Sequence, residues 1–137
     1  MKHILLLFLL TVSIEVLAPH TPVLCIVRAE PIYPYERLVE AITWVESGGY
    51  PYAYNPDGES VGAFQIRQCK LDDFNKLTNK NYQLVEMYQY KKAKEVFLYF
   101  AHKSLDFEYI SRTWNGGPNG MQKEQTLKYW KLVKSKL

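Results

Sequence analysis

A chain of 137 residues, 47% hydrophobic and 23% charged, is ordinary for one globular domain and too short for two. Its net charge of +3 is too slight for a nucleic-acid binder, and no basic patch outside the C-terminus is interleaved with stacking rings. The three histidines share no ligand spacing, so no metal is expected, and no cofactor signature is present.

The first segment is read apart from the fold. Lys2 and His3 precede an apolar run from Ile4 to Leu17, interrupted by Thr11, Ser13 and Glu15 and then by Pro19 and Pro22. The run falls short of the roughly 20 residues that a bilayer requires, so it reads as an export signal rather than a spanning helix. Val27-Arg28-Ala29 suits signal peptidase, giving a leader over 1–29 and a domain over 30–137. A lipid-modified Cys25 is the rival reading, against which Leu24 is larger than lipoprotein processing prefers. Either way the chain is expected outside the cytoplasm, in the periplasm or beyond, touching a membrane only through an uncleaved or lipidated leader. Once Cys25 is gone, Cys69 has no partner for an internal disulfide, and stability must come from packing.

In chain order, Leu38, Ala41, Ile42 and Val45 recur at helical spacing and predict a helix over 35–47, stopped by Gly48 and Gly49. Two prolines, Asn55, Asp57 and Gly58 make 50–60 a turn-rich loop, and 61–67 a brief strand or extended piece beneath it. Leu71, Phe74 and Leu77 mark a short helix, and 84–88 a turn or two. Ala93, Val96, Phe97, Phe100 and Ala101 give the strongest helix, over 91–103. Phe107, Ile110 and Trp114 suggest another, ended by Asn115-Gly116-Gly117-Pro118, and the last covers 122–136 with Leu127, Trp130 and Val133 on one face. The expected fold is mostly α, with a loop-rich or minor β region after the first helix.

Chemistry concentrates where the first helix ends. Glu46 lies one helical repeat beyond Ile42 and so continues the apolar stripe, away from the solvated side that takes Glu36 and Glu40. A carboxyl placed there loses water, its pKa rises, and it becomes suited to general acid work near neutral pH. Tyr50, Tyr52 and Tyr54 alternate along the next segment, on one side of it, open either to a ligand groove or to packing on the helix.

Glu46-Ser47-Gly48, then Gly62-Ala63-Phe64-Gln65-Ile66, then Trp114-Asn115-Gly116-Gly117 resemble, in content and order, the lysozyme-like superfamily of lytic transglycosylases and goose-type lysozymes. The likeness spans about 38–133. The segment from Ile110 to Val133, with Tyr129-Trp130, is also similar to invertebrate-type lysozymes, whose cysteine framework is missing here. The resemblance implies a small lysozyme-like helical domain acting on peptidoglycan glycan strands, at the β-1,4 bond between N-acetylmuramic acid and N-acetylglucosamine. Glu46 would protonate the glycosidic oxygen, while Gln65 and Asn115 match groove positions whose amides donate and accept without charge. From the residues alone, Gln65 is equally open to satisfying backbone groups of its loop, and Asn115 to capping a helix before two glycines. Tyr54, Asn55 and Trp114 join them as candidate substrate contacts. Where the superfamily usually has Tyr before the Asn, Trp114 keeps the ring and lacks the hydroxyl.

The second carboxylate separates mechanisms. A retaining glycosidase places a nucleophile about 5 Å from the acid, an inverting one a base farther away, and a lytic transglycosylase uses one acid and base with the C6 hydroxyl of muramic acid as nucleophile. Asp57, 11 residues past Glu46, is the candidate for the hydrolytic alternative, although an Asx before Gly more often forms a turn. A third reading is a wall-binding module that kept the fold and lost the chemistry. The lysines of the C-terminal helix read as a solvated face. Wall remodelling, passage for a secretion or conjugation apparatus, and attack on a competitor all remain compatible with these residues.

Overall fold

The computed structural model describes residues 34–137, so the expected leader lies outside the described residues. A mostly helical domain results. Helix α1 (Glu36–Ser47) is followed by strands β1 (Tyr54–Asn55), β2 (Ser60–Val61) and β3 (Ile66–Arg67), then α2 (Gln68–Thr78) and a 3₁₀ turn (Leu84–Tyr88). The chain continues through α3 (Tyr90–Ala101), α4 (Phe107–Gly116), a second 3₁₀ turn (Gly120–Gln122) and α5 (Glu124–Lys134).

The first helix forms because Leu38, Ala41 and Ile42 share one buried face. It stops because Gly48 adopts φ +64°, a left-handed conformation that costs glycine little. The Gly48 and Gly49 N–H groups then close the helix on the carbonyls of Trp44 (3.0 Å) and Thr43 (3.1 Å). Across the molecule, Lys94 of α3 holds Glu36 of α1 at 2.8 Å.

The region after α1 is a three-stranded antiparallel sheet in the order β1-β2-β3, with Tyr54 opposite Val61 and Val61 opposite Ile66. Gly62 has φ +78°, and a Cβ there would lie 2.2 Å from the carbonyl oxygen of Met87. Only glycine lets this hairpin settle on the first 3₁₀ turn. Phe64 and Ile66 then enter the core, where they join Leu38, Ile42, Phe97 and Val133.

Two faces differ from expectation. Phe100 is half-buried instead of lying in the α3 core stripe, and its ring borders a surface groove. On α5 the buried residues are Thr126, Tyr129 and Val133, with Leu127 and Trp130 only half-buried. On α5 the cause is Arg112 of α4. A buried guanidinium needs its donors met, and it donates to the Thr126 hydroxyl (3.2 Å), the Met121 carbonyl (2.7 Å) and Glu108 (2.9 Å). Satisfying Arg112 turns the Thr126 face of α5 inward, and Tyr129, one turn later, turns with it.

Candidate functional site

Where α1 ends, the fold opens into a cleft of about 800 Å³. Three walls enclose it: Glu46 on the last turn of α1, Asn55, Ser60 and Gln65 on the sheet and its turn, and Trp114 with Asn115 on the last turn of α4. Arg67 and Lys70, at the start of α2, border it as well. Glu46, Asn55, Gln65, Trp114 and Asn115, scattered along the sequence, therefore face one space.

Glu46 is half-buried, and its Oε1 accepts a 2.7 Å hydrogen bond from the hydroxyl of Tyr129, 83 residues away. Burial raises its carboxyl from the ordinary 4.5 to about 7; the Tyr129 hydrogen bond, the charge of Arg67 and the Trp114 indole pull the other way without cancelling that effect. A group ionising there both gives and takes a proton at neutral pH. Burial, then the adjoining carboxylate, push the Tyr129 phenol well above its usual value, so it stays a donor.

Ser47, the partner of Glu46 in the sequence motif, anchors the helix end to the sheet. Its hydroxyl lies 2.9 Å from the Ala63 carbonyl oxygen and 3.1 Å from that of Thr43. Gln65 has φ +50°, a left-handed backbone that costs a non-glycine residue about 1 kcal/mol or more. Its side chain supports that turn: Nε2 donates to the carbonyls of Gly62 (3.0 Å) and Ala53 (3.5 Å), and Oε1 accepts from the Ser60 hydroxyl (2.9 Å). The amide expected to contact substrate is thus also the brace of the cleft wall. Trp114 is largely buried, edge-on to Phe97 at 5.1 Å between ring centres, and shows only part of its ring to the cleft. Asn115 is exposed, and its side chain makes no hydrogen bond among the described residues.

Two expected residues stand elsewhere. Tyr54 is exposed and does not line the cleft; nor do Tyr50 and Tyr52, which pack edge-on to each other while Tyr52 stacks on Tyr88. Asp57 sits exposed at the β1–β2 turn, also outside the cleft, where its N–H donates to the Asn55 side-chain oxygen at 3.1 Å. That is the Asx-turn role open to these residues. The second carboxylate bordering the cleft is Asp73 of α2.

Sequence reasoning missed Tyr129, Asp73, Arg67 and Lys70 at this site. Tyr129 entered the sequence reading only within the pair Tyr129-Trp130, without a role at the site, and its place on the buried face with Thr126 and Val133 belongs to the fold. Among the described residues, no three His, Cys, Asp or Glu side chains gather as metal ligands, and no helix is long and apolar enough to cross a membrane. No family model, curated protein or solved structure matches the chain.

Proposed function

We propose that the protein is a lytic transglycosylase that cleaves the β-1,4 bond between N-acetylmuramic acid and N-acetylglucosamine in peptidoglycan, with Glu46 as its single acid and base. The observation that carries this reading is a desolvated carboxyl, ionising near 7, on the wall of a cleft that it shares with the amides of Asn55, Gln65 and Asn115. The likeness of the three motifs to the lysozyme-like superfamily agrees with it.

Protonated Glu46 gives its proton to the glycosidic oxygen as the bond from that oxygen to C1 of muramic acid breaks. The carboxylate left behind accepts the Tyr129 hydrogen bond, which stabilises it. It then takes the proton of the muramic C6 hydroxyl as that oxygen attacks C1, closing a 1,6-anhydro ring and regenerating the acid. No water is consumed. A wall of neutral amides beside a largely buried indole suits an N-acetylated sugar. Asp57, outside the cleft, does not furnish the nearby nucleophile of a retaining hydrolase. On this reading the leader exports the chain to its wall substrate.

Digestion of purified peptidoglycan by the protein and by Glu46→Gln, with product ends identified by mass spectrometry, tests the proposal. Anhydro ends from the native protein alone are expected. Reducing ends would replace it with a two-carboxylate hydrolase, for which Asp73 is the cleft partner to test. Retained binding without any release would leave a wall-binding module.

A further inference from the structure

A second groove adjoins the cleft and shares Lys70, Asp73, Trp114 and Pro118 with it. Its floor is apolar, with exposed Leu77 and half-buried Phe100 over fully buried Phe97, and Lys103 stands on its border. Two ammonium groups meet at one ring here. Lys70 Nζ lies 4.8 Å from the centre of Phe100 and 5.1 Å from that of Trp114, while Lys103 Nζ lies 5.5 Å from Phe100 and 5.4 Å from Tyr99.

Neither lysine forms an ion pair or a hydrogen bond among the described residues. Both ammonium groups sit over aromatic faces instead, a contact that leaves the positive charge in place. Burial lowers the Lys70 pKa, the Asp73 carboxylate opposes that fall, and Lys103 adds to it by repulsion. Elsewhere the fold does neutralise such groups: Lys94 reaches Glu36, Lys80 reaches Glu95, and Lys92 reaches Glu86. A half-buried cation, Lys70, and an exposed one, Lys103, beside an apolar floor that is continuous with a sugar-sized cleft, gain most from a ligand that brings carboxylates and small apolar groups together.

We propose that this groove binds the short acidic peptide branch of the muramyl residue held in the cleft, its carboxylates on Lys70 and Lys103 and its small apolar side chains on Phe100 and Leu77. The inference rests on the transglycosylase reading for the sugar in the cleft, and it goes further by making the preferred substrate a peptide-bearing strand. A bare glycan fills the cleft and leaves the groove to water, whereas a peptide-bearing one fills both.

The test measures binding and cleavage separately. The Glu46→Gln protein is titrated calorimetrically with short muramyl glycans that either carry their peptides or have been stripped of them by an amidase. Tighter binding of the peptide-bearing glycan by about tenfold is expected, about 1.4 kcal/mol. That ratio should fall toward one when Lys70→Gln and Lys103→Gln are added together, and part-way with Lys103→Gln alone, the milder surface change. Raising the salt concentration should reduce the ratio in the parent and leave it unmoved in the double variant. Equal affinity for the two glycans, or a ratio that survives in the double variant, overturns the inference. Cleavage of both glycans at the same rate with anhydro ends would keep the transglycosylase reading and sink this one. The full ratio without any cleavage by the native protein would do the reverse.

Discussion

The end of α1 and the turn between β1 and β2 each carry an acid, Glu46 and Asp57, close in sequence and opposite in physical state. Glu46 is held against Tyr129 and Trp114 with its carboxyl raised to about 7, while Asp57 stands exposed on a turn that the Asn55 side chain shapes by accepting from the Asp57 N–H. The same functional group becomes a candidate proton donor in one place and a solvent-facing side chain in the other. What differs is the surroundings: a helix end closed by glycines directs Glu46 along the apolar stripe, and a two-residue strand pair directs Asp57 outward.

That contrast breaks first at the level of activity. Glu46→Gln should lower peptidoglycan cleavage by about 10²- to 10⁴-fold, the usual worth of a positioned acid, in a turnover assay with turbid cell walls. Comparable loss in Asp57→Asn would erase the distinction between the two acids. The hairpin's importance is instead structural. Gly62→Ala, which drives a Cβ toward the Met87 carbonyl from a left-handed backbone, should lower stability by about 3 kcal/mol in urea unfolding.

Stability against pH sharpens the comparison next. The folded pKa of Glu46 lies above its unfolded value, so the native state keeps a proton that the unfolded chain releases. The stability this confers is complete below the unfolded value of 4.5 and is lost as pH rises toward 7. Glu46→Gln removes that loss and should exceed the native protein in unfolding free energy by about 2 kcal/mol at pH 8, with little difference at pH 4.

Tyr129→Phe should reduce cleavage by about tenfold, since one hydrogen bond to a developing carboxylate is worth about 1.5–3 kcal/mol and the cleft retains Arg67. Because that bond holds the Glu46 pKa down, its removal should also move the alkaline limb of the pH–rate profile upward. A limb that stays in place would assign Tyr129 to packing alone. The smallest effect is expected of Tyr54→Ala, outside the cleft, which should change the rate by no more than about twofold.

The helices were legible because Leu38, Ile42, Ile110 and Trp114 repeat at the spacing that one buried face demands, and because Gly48 and Gly117 stop helices where left-handed or otherwise unusual backbone follows. The convergence of Glu46, Gln65, Trp114 and Asn115 on one cleft agrees with the order of their three motifs, whereas Asn55 lies in none of them. The place of Tyr129 was not legible, since its inward turn depends on how Arg112 is satisfied through Thr126, a long-range demand that no local spacing records. The bracing task of Gln65 was one of two readings open from the sequence, a buried amide satisfying its loop's backbone, whereas its φ of +50° exists only once the hairpin has closed. Tyr50, Tyr52 and Tyr54 were ambiguous for a related reason: alternation places them on one side of the segment without saying which side is open.

The most direct test is a ¹³C NMR titration of the carboxyl carbon of Glu46, assigned with Glu46→Gln. The account predicts a midpoint near 7, displaced upward in Tyr129→Phe. A midpoint at the ordinary 4.5, unchanged by loss of the tyrosine hydroxyl, would contradict it.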